Sequence, residues 1–463
     1  LNKSVQVAVV AKNKIDFLQL YRLDSSYYPF ILETVLSDDK QCCFDILFLE
    51  PLQSLRLNRE FQLQFKDTEV AEHSNDFLSV LNQIWEKDST PPIHNNYPFY
   101  GGWFVYLGYE LAQQVEPVLN LPKSSSNLPV AYAARIKSAL IFDHSKNETV
   151  LVSETGVDQQ KLLSKVQSDI TKSGFVTANQ DLKCDEVSED RSQIYLDSVA
   201  KVKQYIVEGD VFQVNLSRQW DVPIFSSEHT CSAASLYENL RIKNPAPFAG
   251  IVTIDNASIV SSSPERLVKV QNGVMESRPI AGTRPRGDNL QQDKDYREQL
   301  HAHPKEQAEH IMLIDLIRND LGRVCQPGSI EANELMVNES YAHVHHIVSN
   351  VRGDLRDKVL PGDVIRAIFP GGTITGCPKV RCMEIIAEQE KVARNAYTGS
   401  MGYINNDGSM DLNILIRTMI LDSKDTAQHL SFRAGAGLVA DSNAEHELNE
   451  TRAKALGLLK VFQ

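Results

Sequence analysis

Gly399-Ser-Met-Gly-Tyr-Ile-Asn-Asn-Asp-Gly-Ser-Met-Asp-Leu-Asn-Ile-Leu-Ile-Arg-Thr-Met-Ile-Leu421, with Leu430-Ser-Phe-Arg-Ala434 after it, is the stretch that decides the fold. Its apolar and β-branched residues read as strands at Gly399–Ile404, Leu412–Leu421 and Leu430–Ala434, one after another. A closing helix follows from about Asn443 to Val461. Strands and helices that come in clusters rather than in strict alternation indicate an α+β fold, not a doubly wound parallel sheet.

Working back from this stretch, helical patterns cover Pro378–Glu388, Gly362–Ile368 and Pro304 to about Leu321, with proline in the first turn of two of them. Strand-like segments precede these at Val211–Leu216, Ala249–Ile254 and Ala257–Ser261. Tyr195, Val199, Val202 and Ile206 recur at helical spacing, and Gly209 is placed to end that helix. The stretch Ser173–Ser192 is polar and aperiodic, which predicts a linker. Ahead of it lie β-like runs at Cys43–Leu49, Phe99–Leu107, Ala139–Asp143 and Thr149–Ser153, and helical runs at Asp76–Lys87 and Gln159–Lys172. The chain therefore divides into an N-terminal subdomain of a compound fold, residues 1–180, and a core over residues 190–463.

The composition is that of a globular protein: of 463 residues, 42% are hydrophobic and 23% charged. A net charge of −13 with no basic block argues against nucleic acid or an acidic membrane as partner. An anionic substrate would then need a local cationic pocket or a metal ion. Cys42, Cys43, Cys184, Cys231, Cys325, Cys377 and Cys382 show neither disulfide-framework nor zinc-site spacing, so free thiols and a cytoplasmic location are expected. The apolar run Val5–Val10 fits a first strand better than a signal-peptide core, and no run is long enough to span a membrane.

Two carboxylate pairs stand out. Glu306 and Glu309, and Glu447 and Glu450, are each spaced i, i+3 on a predicted helix, so each pair shares a face about one turn apart. Two such faces opposed would make an oxygen-rich site suited to Mg²⁺, although either pair alone, and Lys454 four residues after Glu450, fits an ordinary surface helix equally well. Phe369-Pro-Gly-Gly-Thr-Ile-Thr-Gly-Cys-Pro-Lys379 is a glycine-rich turn ahead of a helix, able to offer backbone N–H groups to an anion or to serve as a tight turn. It is not a P-loop, because Cys377-Pro378 stands where Lys-Ser/Thr is needed. Ala434-Gly-Ala-Gly437 raises the same two possibilities. His346 lies in the strand-like Val344-His-His-Ile-Val348, where a core role competes with a catalytic one. Glu265, in Ser262-Ser-Pro-Glu-Arg266, is either a turn carboxylate or, if partly buried, a general acid.

Taken in order, Ser263-Pro-Glu265, Arg278-Pro-Ile-Ala-Gly-Thr-Arg-Pro-Arg-Gly287, the Glu306/Glu309 helix, Asp315-Leu-Ile-Arg-Asn-Asp-Leu-Gly-Arg323, the Gly371–Lys379 turn, Met410-Asp-Leu-Asn-Ile-Leu-Ile-Arg-Thr418 and Ala434–Asp441 resemble the chorismate-utilising enzymes. That family includes anthranilate, aminodeoxychorismate, isochorismate and salicylate synthases. The resemblance is dense from about Asp210 to Leu459. It implies two large packed antiparallel sheets with outer helices and a site between them. It further implies that Glu306, Glu309, Glu447 and Glu450 hold Mg²⁺, and that Tyr397, Arg417, Lys454, Thr373 and the backbone at Gly435–Gly437 bind the substrate carboxylates. By the same resemblance Glu265 is the acid for the departing C4 hydroxyl and His346 acts on the ring, with Lys454 completing the catalytic set.

Gln213 stands where water-using relatives have a lysine base, which points to ammonia as the nucleophile. Phe44-Asp-Ile-Leu47, Gly372-Thr-Ile-Thr-Gly376 and Asn244-Pro-Ala-Pro-Phe248, the last lacking the Pro-Tyr-Met run of a tryptophan-feedback pocket, resemble aminodeoxychorismate synthases. Ala281, where the best-known of those enzymes carry a nucleophilic lysine, resembles anthranilate synthases instead. No glutaminase signature is present, so a separate glutamine amidotransferase subunit is the expected ammonia source. A non-catalytic homologue and an isochorismate or salicylate synthase are the other readings; the complete glutamate set and Gln213, respectively, weigh against them.

Overall fold

The structure is a computed structural model that describes residues 5–35, 43–67, 74–93, 95–174, 182, 187–224, 231–286, 289–302, 304–340, 344–424 and 427–462. At Ala281, Glu306 and His346 only the backbone is among the described features. Two large sheets, antiparallel at every described pairing, form the core. The first runs through Gln6–Ala11, Glu148–Ser153, Ser138–Asp143, Phe44–Leu49, Phe30–Glu33, Phe248–Ile254, Ala257–Ser263, Thr418–Lys424, Ala427–Leu438, Gln213–Ile224 and Ser188–Glu189. The second runs through Ile280–Pro285, Val344–Asp354, Val274–Ser277, Arg266–Gln271, Met410–Asn413, Ser400–Asn405, Gly102–Leu107, Ala131–Ile136, Gln53–Leu57 and Leu63–Lys66. Strands from before the linker complete both sheets, with Ala249 opposite Glu33 in the first and Ser400 opposite Leu107 in the second.

Central strands such as Gly102–Leu107 are buried on both faces, which explains their apolar sequence. Ile46 and Phe48 point between the sheets while Leu47 and Leu49 point outward under helices, the two-residue alternation of a strand. Phe104 and Tyr106 face inward from the second sheet, and Trp103, Val105 and Leu107 pack outward. The sheets meet at Phe30 and Phe104, whose rings stack with centroids 4.0 Å apart. Helices Phe17–Leu23, Gln159–Ser173, Ala233–Lys243 and Ala444–Leu459 cover the first sheet. Phe77–Asp88, Pro304–Gly322 and Pro361–Ile368 cover the second.

Most expected elements form within a residue or two of their predicted ends. Gly209 ends helix Ser192–Glu208 in the left-handed region at φ 86°, and the Asn443 side chain caps the last helix by accepting from Glu445 and His446 N–H. Pro378 is the residue before helix Lys379–Glu390 rather than its first. The expected linker contributes Ser188–Glu189 as an edge strand. Five cysteines (Cys43, Cys231, Cys325, Cys377 and Cys382) are free; Cys42 and Cys184 lie outside the described residues. Among the described residues no helix is long and apolar enough to cross a membrane.

The expected strand Leu412–Leu421 is two strands in different sheets. Met410–Asn413 belongs to the second sheet and Thr418–Lys424 to the first, and residues 414–417 carry the chain across. Ile414 and Leu415 are buried in that crossing, so their apolar character mimics a continuous strand. The break falls at Arg417, whose φ of 50° no β-strand accommodates. Ser263 to Arg266 makes the other crossing beside it, the first of the two in the sequence. The two are bonded together: Ile414 N–H donates to Glu265 O at 2.9 Å, Ser262 N–H to Arg417 O at 3.1 Å, and the Ser263 hydroxyl to Ile414 O.

A buried ion triad fixes the end of the first sheet. Glu390 pairs with Arg394 at 2.6 Å and Arg433 at 3.2 Å, and also accepts from the N–H and hydroxyl of Ser217, both at 2.8 Å. Burial pushes the Glu390 carboxyl up, but the two guanidiniums outweigh it and hold the group below its ordinary value. Removing the carboxylate would leave both cations unpaired. Glu390→Ala should therefore lose about 3–5 kcal/mol of stability, read from urea unfolding; a loss under about 1 kcal/mol would show that the triad relaxes into water.

Candidate active site

Glu265 sits in the first crossing with 6% of its surface exposed. Burial raises its carboxyl to about 7, against opposing effects from the Thr373 hydroxyl, Lys454 and Arg417. Thr373 Oγ1 donates to Glu265 Oε1 at 2.8 Å, and no other side-chain hydrogen bond reaches this carboxyl among the described residues. Thr373 comes from the short 3₁₀ turn Gly372–Ile374 between helices Pro361–Ile368 and Lys379–Glu390, so the glycine-rich segment delivers a hydroxyl to the acid.

Arg417 comes from the second crossing. Burial lowers its guanidinium from the ordinary value, with Glu265 acting in the opposite direction. Among the described residues no hydrogen-bond or ion-pair partner meets that guanidinium. A half-buried cation without a hydrogen-bonded counter-ion favours an anionic ligand. Its left-handed backbone costs on the order of 1 kcal/mol or more, a strain set against aiming this side chain beside Glu265.

The paired strands Gln213–Ile224 and Ala427–Leu438 supply the floor. Asn215 lies opposite Gly437 and Ser217 opposite Gly435. A Cβ on Gly435 would come within 2.7 Å of Asn215 Oδ1, Leu216 O and the Tyr397 hydroxyl; one on Gly437 would come within 2.6 Å of Gln213 Nε2. Gly435 is thus required by close approach to the Leu216 backbone, whereas at Gly437 only the movable end of the Gln213 side chain is near. Gln213 Oε1 and Asn215 Oδ1 are buried and have no hydrogen-bond partner among the described residues. Tyr397 is buried, which pushes its phenol up to about 12 and keeps it a neutral donor. Lys454, from the last helix, donates to Gly435 O at 2.9 Å and pairs with Glu450 at 2.8 Å.

Glu265, Thr373, Arg417, Lys454, Gly435, Tyr397, Gly437 and Gln213 are therefore linked by direct or electrostatic contact. The four glutamates are a different matter. Glu447 and Glu450 both act on the buried Tyr195 phenol, whereas Glu309 is on helix Pro304–Gly322. Among the described residues no three His, Cys, Asp or Glu side chains converge as a metal-ligand group. The Glu306 side chain lies outside the described residues, as do those of His346 and Ala281. The His346 backbone pairs with Thr283 and Glu339, and Ala281 pairs with Ile347. A cavity of about 460 Å³ between the sheets is lined by Leu32, Glu33, Pro247, Phe248, Arg266 and Met401 among others, and by none of the residues above. Sequence reasoning missed Asn215, Tyr195 and Arg394. Asn215 follows Gln213 by two and so shares its face, a signal available in the strand pattern.

Comparison with known proteins bears on the family and the fold. Residues 33–460 match the chorismate binding enzyme family. An anthranilate synthase component I-like protein of Synechocystis sp. is 40% identical over 395 residues, 84% of this chain and 79% of the relative. Aminodeoxychorismate synthase component 1 of Bacillus subtilis is 38% identical over 390 residues, 82% of this chain and 81% of the relative. The crystal structure of anthranilate synthase component I from Streptococcus pneumoniae superimposes with a TM-score of 0.77 at 29% identity, covering 91% of this chain and 93% of that one.

The Thr373 hydroxyl bond favours the ionised form of Glu265, so its loss has a definite sign. Glu265 should titrate near pH 7, and Thr373→Val should move that titration upward, as followed by the carboxyl signal of ¹³C-labelled glutamate. An unchanged or lower value in the variant would mean that the hydroxyl does not meet the carboxylate.

Proposed function

The chain belongs to the family of chorismate-binding enzymes, and from that premise we propose that it is aminodeoxychorismate synthase component I. In this reading it replaces the C4 hydroxyl of chorismate with ammonia from a separate glutamine amidotransferase subunit in the cytoplasm. The product, 4-amino-4-deoxychorismate, leads to 4-aminobenzoate and folate.

The observation that carries the reading is the buried Glu265 carboxyl, raised to about 7 beside Arg417 and Lys454. A carboxyl with that value is protonated in a useful fraction near neutrality and can give its proton to a departing hydroxyl. Oε1 is held by Thr373, which leaves the other oxygen to face the leaving group. Arg417 and Lys454 supply positive charge for the substrate carboxylates, and Tyr397 a neutral donor; an acidic protein needs such a local reversal to hold a dianion. Gln213 cannot act as a base at neutral pH, which suits ammonia, already a nucleophile. His346 would act on the ring.

Magnesium enters through donor chemistry. Glu306, Glu309, Glu447 and Glu450 offer only hard carboxylate oxygens, the type Mg²⁺ prefers. When bound, the ion would neutralise a substrate carboxylate; no step is assigned to it, because the described side chains do not converge as a ligand group. Activity should disappear with a chelator and return with Mg²⁺, and Glu309→Gln or Glu450→Gln should each cost more than about 100-fold. Full turnover in excess chelator would refute the metal assignment.

Anthranilate synthase component I is the second reading, favoured by Ala281. A methyl side chain cannot attack C2, so no covalent lysine adduct can form at that position. Incubation with chorismate, Mg²⁺ and ammonium separates the readings. The expected outcome is 4-aminobenzoate only after a lyase is added, with no chorismate-derived mass on the intact chain. Fluorescent anthranilate without a lyase would establish the second reading. Glu265→Gln should lower turnover by roughly 10²–10⁴-fold with little change in chorismate affinity, whichever product forms.

A further inference from the structure

We propose that Arg394 is a positioning residue for the site, holding three substrate-facing segments in fixed relation without touching the substrate. This rests on the proposed binding of chorismate at those segments. Arg394 is 1% exposed and sits in the turn after helix Lys379–Glu390. A guanidinium has five N–H donors, and here each has an acceptor. Nε and one Nη2 hydrogen go to the Glu390 carboxylate at 2.9 and 2.6 Å. The other three go to Asn215 O at 2.8 Å, Ile374 O at 3.2 Å and Thr398 Oγ1 at 3.3 Å. With every donor used, the group has none left for a ligand.

What it bonds is telling. Ile374 follows Thr373, the donor to Glu265; Asn215 follows Gln213 by two on the floor strand; Thr398 follows Tyr397. The guanidinium also lies over two aromatic rings, 5.0 Å from the Tyr109 centroid and 5.5 Å from that of Tyr397. Its own backbone is fixed from the other side, because Glu110 Oε1 accepts from Arg394 N–H at 2.8 Å and Asn395 N–H at 3.3 Å. The hydroxyl of Thr373, the Gln213–Asn215 face and the Tyr397 ring are therefore referenced to one planar cation. Lysine could keep the charge opposite Glu390 but has neither the plane nor the reach for the remaining bonds.

Arg433 is the natural control. It shares Glu390 and bonds Ser217 Oγ at 2.9 Å and Gln219 Oε1 at 3.2 Å, but makes no bond to Ile374, Asn215 or Tyr397. Arg394→Lys, Arg433→Lys and the milder Tyr109→Leu, which removes one ring and none of the guanidinium's hydrogen bonds, would be compared with wild type by KM for chorismate, by Tm and by hydrogen–deuterium exchange. Arg394→Lys should raise KM by about tenfold or more, as displaced site groups do, and speed exchange at residues 213–217 and 372–377. Tyr109→Leu should move both readouts in the same direction by less. Arg433→Lys should lower Tm while changing KM by under about twofold. Equal KM effects of both arginine variants, or a fall in Tm alone for Arg394→Lys and Tyr109→Leu, would overturn the proposal. Should wild type fail to turn over chorismate, the functional reading falls, and exchange at the two segments still decides whether Arg394 holds them.

Discussion

Glu390 is a carboxylate withdrawn from water and held ionised by two guanidiniums, and much of the site hangs from it. An ion of this kind is costly to bury and is tolerated only when its partners and remaining lone pairs are satisfied. Here Arg394, Arg433 and Ser217 meet that condition, and each belongs to a different segment. Through Arg394 the end of helix Lys379–Glu390, the floor strand at Asn215 and the turn carrying Tyr397 are consequently fixed to one point, while Arg433 reaches only Ser217 and Gln219 beside it. Gly435 then allows the floor to lie directly beneath Tyr397.

The second organising feature is the transfer of chain between sheets. Glu265 and Arg417 both occupy crossings, where the backbone leaves one hydrogen-bond ladder for the other and side chains escape the strict alternation of a strand. The crossings bond each other through Ser262, Ser263 and Ile414, so the acid and the cation are set on a shared, rigid support. Burial at this junction shifts both groups: Glu265 upward, Arg417 downward. The same desolvation that costs stability gives a carboxyl that titrates near neutrality and a cation in need of an anion.

Much of the architecture was legible. Strands buried on both faces, such as Gly102–Leu107, carry apolar runs, and the helices announce themselves by period and by Gly209 and Asn443 at their ends. Shorter and more polar strands did not. Arg266–Gln271 and Val274–Ser277 carry Lys269, Gln271 and Glu276; they pair with each other and, on their other edges, with Met410–Asn413 and Val344–Asp354 far away in sequence. Leu412–Leu421 reads as one strand because composition is blind to a left-handed residue at Arg417. Of the site, the order of motifs singled out Glu265, Thr373, Arg417, Tyr397 and Lys454. It gave no sign of Arg394, whose importance comes from contacts with residues 20 and 179 positions away.

By itself the sequence determined the α+β class, the family and the chemical types gathered around Glu265: an acid, two cations, a hydroxyl and a phenol. These follow from local periodicity and from residue types in a fixed order, both properties of neighbouring positions. The tertiary structure alone decided which strands share a sheet, where the chain crosses between sheets, and that Glu265 is buried enough to titrate near 7. Those outcomes depend on desolvation and on hydrogen bonds between segments hundreds of residues apart. Such energies do not exist until the chain has folded.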